Sequence, residues 1–187
     1  MNDPKRPRRN YGFLILDKLI THEHIVEEPH SLTLFELAAE CRRKQKMTKT
    51  QLREFCRWKS VRSAHWALEN TNKDITEAFV HCLAIRNPRL KLHVLTALKG
   101  VNIPTASAIL MFLNRKRYGV IDTRVWQLLY DFHLMDHNPN GVNFNLDDWD
   151  QYLSILRHYA KKHKQPVRDI ELQLFLRHRD AFPILRS

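Results

Sequence analysis

The chain's most informative chemical pattern centres on one acid. Asp122 follows Tyr118-Gly119-Val120-Ile121, precedes Thr123-Arg124-Val125-Trp126, and lies 22 positions after Gly100. A fixed carboxylate at a helix start can stabilise developing positive charge, or orient and deprotonate a water. It also makes a good N-cap, worth about 1 kcal/mol, and the two roles are compatible. Upstream, Leu98-Lys99-Gly100-Val101-Asn102-Ile103-Pro104-Thr105 reads as a tight turn into a helix. Glycine permits backbone angles closed to other residues, and Asn102 tolerates left-handed angles better than most. The first amides of the helix have no intrahelical acceptor, so they can bind an anion such as phosphate. Thr105 adds a hydroxyl, and Ala106 and Ala108 leave room for close helix packing. An ordinary helical corner would want the same glycine and alanines.

Other candidates surround this pattern. Arg115, Lys116 and Arg117 form a basic cluster that either follows a phosphate backbone or is simply solvated, and Arg124 could meet a phosphate near Asp122. Trp58 and Arg62, in Arg57-Trp58-Lys59-Ser60-Val61-Arg62, interleave an aromatic with cations, as a pocket for an unstacked base requires. Trp126 is a second aromatic candidate, although core packing is the commoner fate of a tryptophan. Glu36 in LFELAAE is either a general acid or a solvated helix position. Cys41, Cys56 and Cys82 are too few and too far apart for a four-cysteine cluster and read as small buried hydrophobes. His22-Glu23-His24 lacks the spacing of a zinc-binding helix.

Helices must position these residues. Apolar periodicity predicts helices over 11–20, 31–44, from Thr48 or Thr50 to Trp58, and over 71–85. Lys59–Arg62 marks a break, and Asn87-Pro88 ends the 71–85 helix. A helix over 89–98 then leads to Lys99-Gly100, and another runs from Ile103 to Leu113, with Pro104 in its first turn, where a missing N–H costs little. Asp122 or Thr123 caps the next, through about His133. After the Asn138-Pro139-Asn140-Gly141 loop, Asn145 caps 146–163, and Pro166 starts a last helix over 167–177. The expectation is an all-α, compact multi-helix domain over 11–187, with nine or ten short helices and a basic, flexible arm at 1–10.

The composition agrees. Among 187 residues, 43% are hydrophobic and only four are glycine, so a sizeable core and few strands are expected. Lys and Arg outnumber Asp and Glu 31 to 20, a net +11 that suits a polyanionic partner. No run approaches the roughly 20 apolar residues of a membrane span, and MNDPKRPRRN lacks the apolar centre of a secretory signal. The reading is an intracellular, nucleoid-associated protein without a membrane partner.

The words GVNIPTASAIL and YGVIDTRVW resemble the helix-hairpin-helix DNA glycosylase superfamily, which includes endonuclease III-like, adenine-DNA and 8-oxoguanine glycosylases. The match is specific over 95–130 and covers the hairpin motif at about 89–113. The resemblance implies double-stranded DNA as partner, Asp122 as catalytic carboxylate, and Gly100, Asn102 and Thr105 on the phosphate. It also implies a monovalent cation or calcium on the carbonyls of Thr96, Leu98 and Val101. Pro104 stands where bifunctional members carry a nucleophilic lysine, so the expected activity is monofunctional: hydrolysis that leaves an abasic site, in base excision repair. Lys99 and Lys116 are nearby amines but off register. Asn102 replaces a second hairpin glycine. The family's glutamine-containing wedge helix is not recognisable in the N-terminal half, and no iron–sulfur segment follows the domain. The alternative is a non-catalytic helix-hairpin-helix module that recognises a lesion or DNA structure.

Overall fold

In the computed structural model, residues 9–21 and 25–181 are described, with side chains from 12 to 178. The arm at 1–8 and the His22-Glu23-His24 triplet lie outside them. The described chain is all-α, with no strand among the described residues. Nine α-helices follow in order: α1 (Arg9–Leu19), α2 (Pro29–Lys44), α3 (Lys49–Lys59), α4 (Asn72–Ala84), α5 (Pro88–Thr96), α6 (Ile103–Leu113), α7 (Thr123–Asp131), α8 (Leu146–His163) and α9 (Val167–Ala181). A 3₁₀ turn, Ala64–Glu69, lies between α3 and α4.

Short polar side chains set most helix starts. Thr48 and Gln51 form a reciprocal capping box on α3, and Asn145 and Asp148 form one on α8. Thr71, Asn87, Asn102 and Asp122 cap α4, α5, α6 and α7. Two prolines account for shifts from the expected boundaries. Pro29 and Pro88 each stand in the first turn of a helix, so α2 and α5 begin before Ser31 and Arg89. The 3₁₀ turn carries no helical periodicity long enough to be read from sequence.

Helix α6 is the axis of the molecule. Its sequence IPTASAILMFL is apolar on every side, and Thr105 through Leu113 are all buried. Helices α2, α3 and α5 pack around it, while α7 and α8 pack on α9. The core includes Trp126, as core packing required, with its indole N–H donating to the Asn138 carbonyl at 2.7 Å. Cys41, Cys56 and Cys82 are free thiols in the same core.

Between α6 and α7 a turn at 115–117 leads into an irregular stretch whose polar groups are taken up by side chains. Ile121 N–H donates to Ser107 Oγ at 3.1 Å, Val120 N–H to Glu171 Oε2 at 3.5 Å, and Tyr152 O–H donates to the Val120 carbonyl at 2.9 Å. A Cβ on Gly119 would lie 2.7 Å from Leu156 and 3.1 Å from Glu171 Cβ, so glycine lets this segment lie flat against α8 and α9. Asp122 is thereby delivered at the mouth of a cavity.

Candidate functional site

Two structures lie beside α6: a hairpin at its N-terminus, and a charged cavity whose Trp58 packs on Phe112 near the helix's other end. At the hairpin, Gly100 has φ of +81°, and a Cβ there would meet Ala67 N at 2.9 Å and Trp66 Cβ at 3.1 Å. The turn closes through Val101 N–H to the Leu98 carbonyl at 3.1 Å. Asn70, 7% exposed, braces it by donating to the Lys99 carbonyl at 3.0 Å and accepting the Lys99 N–H at 2.9 Å. Pro104 has no N–H, and that of Thr105 donates to Asn102 Oδ1 at 3.0 Å. The donors left to an outside anion are the amides of Gly100, Asn102 and Ile103.

The cavity, about 480 Å³, lies among the start of α2, the end of α3, the start of α7 and one face of α9. Trp58, Lys59, Asp122, Arg168 and Glu171 line it, with Glu27 and Ser31. Asp122 Oδ1 accepts the Arg124 N–H at 2.9 Å, and Oδ2 accepts Lys59 Nζ at 2.7 Å. The Asp122 and Lys59 side chains keep 21% and 17% exposure, so the pair is reachable from the cavity. Burial acts to raise the Asp122 carboxyl, but the Lys59 ammonium and the Arg124 amide more than offset it and hold it below the ordinary value. Deeper in, Arg168 donates to both oxygens of Glu27, at 2.9 and 3.0 Å, and to Glu171. Its guanidinium lies 5.7 Å from the Trp58 ring centre. Burial raises the Glu171 carboxyl above its ordinary value, with Arg168 offsetting only part of the effect.

Several sequence candidates meet here. Asp122 and Trp58 share the cavity, although Trp58 commits its indole N–H to Ser31 Oγ at 3.0 Å and packs edge-on to Phe112. The segment Ser60–Trp66 joins Lys59 in the cavity lining to Trp66, which packs behind Gly100. Arg62 is exposed on that connection and lies outside the cavity lining. Arg124 is half-buried, with its guanidinium 4.9 Å from the Phe175 ring centre.

Other candidates are placed elsewhere. Thr105 is fully buried, so neither its amide nor its hydroxyl reaches a surface phosphate, because the helix start turns that face onto the core. Arg115, Lys116 and Arg117 follow the far end of α6, about 16 Å from the hairpin along an eleven-residue helix. Arg115 pairs with Asp169 and covers Phe35, which makes it a tie between α6 and α9, while Lys116 and Arg117 are exposed. Glu36 is exposed on α2 and is no part of the cavity. At the hairpin carbonyls, that of Leu98 accepts the Val101 N–H and keeps one lone pair, so a cation would find it only partly free.

Sequence reasoning missed Lys59, Glu27, Ser31, Arg168, Glu171 and Asn70. Lys59 stood beside the chosen Trp58, and Arg168-x-x-Glu171 had the i,i+3 spacing of a helical ion pair, which were the two available signals. A larger groove of about 620 Å³ between α1 and α8, lined by Phe13, Ile155 and Tyr159, offers no carboxylate. Compared with known proteins, the chain has no match among family models, curated sequences or solved structures.

Proposed function

We propose that the protein is a monofunctional DNA glycosylase-like enzyme that grips duplex DNA at the Gly100 hairpin and hydrolyses the N-glycosidic bond of a damaged or modified base, as in base excision repair on chromosomal DNA. The observation that carries this reading is Asp122. It caps a helix at the mouth of a 480 Å³ cavity walled by Trp58, one short connection away from the anion-binding turn. Rupture of the bond leaves positive charge on the sugar, which a fixed, ionised carboxylate stabilises, and the cavity gives a flipped base somewhere to sit. Pro104 gives the hairpin no amine, and the Lys59 amine is engaged with Asp122, which supports hydrolysis by water over attack by lysine. A cation on the hairpin carbonyls of Thr96, Leu98 and Val101 would add positive charge toward a phosphate, and no chemical step requires it.

One observation favours a second reading, a non-catalytic reader of damaged or distorted DNA: both oxygens of Asp122 are already engaged, one by an amide and one by Lys59. A single experiment separates the two. Duplexes carrying uracil, hypoxanthine, mismatched thymine, adenine opposite 8-oxoguanine, alkylated purines or bulky pyrimidines are incubated with protein and then treated with alkali. The expected result is strand breaks only after alkali, reduced about 10²–10³-fold in Asp122→Asn, with duplex affinity kept. Steep salt dependence of that affinity is expected from phosphate contacts. Salt-sensitive binding without breaks on any duplex selects the reader. Breaks before alkali that vanish in Lys59→Gln assign the amine a lyase role.

A further inference from the structure

Away from its exposed rim, where Glu28 and His30 meet solvent, the cavity holds one more carboxylate than cation: Glu27, Asp122 and Glu171 face Lys59 and Arg168. Lys59 is matched to Asp122, and Arg168 gives its bidentate edge to Glu27, so Glu171 shares a guanidinium already committed elsewhere. An unbalanced charge in a buried site is costly, and a proton on one of the carboxyls removes that cost. Glu171 is 2% exposed and is the carboxyl whose affinity for a proton is raised, while Asp122 is driven the opposite way. Two acids in one cavity whose proton affinities are pushed apart form a donor and an anion.

We propose that Glu171 is the general acid that protonates the departing base, so that the substrates are neutral bases, which need a proton to leave. This rests on the glycosylase reading above. The placement fits, because Glu171 lies on the cavity wall against the Val120 amide, two residues before Asp122. As the C1′–N bond breaks, its electron pair stays on the base. The base takes the Glu171 proton and departs neutral, and Asp122 faces the cationic sugar. Water oxygen then bonds to C1′ and gives a proton to Asp122, which passes it to solvent, and solvent returns one to Glu171. The sum is base–sugar plus water giving free base plus the hydroxylated sugar. A base that is already cationic by N-alkylation needs no such help.

The test compares wild type and Glu171→Gln on duplexes with hypoxanthine, uracil or adenine opposite 8-oxoguanine, and on a duplex with the cationic base 7-methylguanine. Glutamine keeps the shape and adds no charge, so the Arg168 contact is preserved. We expect the variant to lose about 10²–10⁴-fold on the neutral base the wild type releases. On 7-methylguanine the loss shrinks to about tenfold or less. The wild-type pH profile is a second readout that needs no variant. The groups facing Glu171 are Arg168 on its own helix, Glu27 before α2, Lys59 on α3, Asp122 before α7 and Tyr152 on α8. Release falls at high pH as Glu171 ionises, and at low pH as Asp122 takes up a proton. Equal release of a neutral base by both proteins overturns the assignment and leaves the glycosylase reading standing. Release of 7-methylguanine alone by wild type also overturns it. No release of any base by wild type removes the glycosylase reading and this proposal together.

Discussion

The hairpin and the cavity both adjoin α6, the first at its N-terminus and the second through Trp58 on Phe112, but are built on opposite terms. The hairpin is local and held mainly by neutral groups: Gly100, Asn102 and Pro104 lie within five residues, Asn70 braces it through an uncharged amide, and its charged contact, Lys99 with Glu69, is exposed. Its shape rests on backbone angles and single hydrogen bonds of about 1 kcal/mol each. The cavity is charged and assembled from a distance. Glu27, Lys59, Asp122, Arg168 and Glu171 arrive from four separate segments, and each ion depends on the others for compensation. On the proposed reading, the surface that would meet DNA is kept simple and local, and the site that would move protons is woven into the packing of α3, α7 and α9.

That contrast is exposed most sharply by Arg168→Met. Removing the guanidinium leaves Glu27 and Glu171 facing each other in a buried space, and such a loss costs about 3–5 kcal/mol. Urea unfolding should show the midpoint falling by that amount, with the whole domain opening as one unit. Gly100→Ala should act locally: the left-handed angle costs about 1–2 kcal/mol, and the new Cβ crowds Ala67 N at 2.9 Å. Duplex affinity should drop while the pH dependence of base release keeps its shape, which an affinity titration and a rate profile would check together. The smallest effect belongs to Asn70→Ala, about 1 kcal/mol from the lost brace on Lys99, because the exposed Lys99 backbone can rehydrate. If Asn70→Ala were to cost as much as Arg168→Met, the hairpin would be no independent module and the contrast would fail.

The same contrast explains what could be read from sequence. Helix α6 and its turn were legible because their signals are contiguous: a glycine, a first-turn proline and an apolar run; Asn102, expected to ease a left-handed turn, is instead extended at φ −92° and caps the helix. Asp122 as a helix cap followed from the residue before an amphipathic stretch. Glu171 was invisible by the same logic, since its meaning comes from Arg168, Glu27 and Val120, and only Arg168 lies near it in sequence. Thr105 misled because a hydroxyl three residues into a helix can face either way, and packing against the core decided it. The basic run 115–117 lies a helix length from the hairpin, a separation that its closeness in sequence conceals.

The three buried thiols carry a consequence for the molecule in time. Burial pushes Cys56 up to about 12 and Cys41 and Cys82 up to about 11, so almost none is thiolate near neutrality. They sit on α3, α2 and α4, and no thiol reagent reaches them while the helices stay closed. Each is therefore a clock for the opening of its own helix. A chain whose cavity has come loose would carry the mark on Cys56, three residues before Lys59, even after it has closed again.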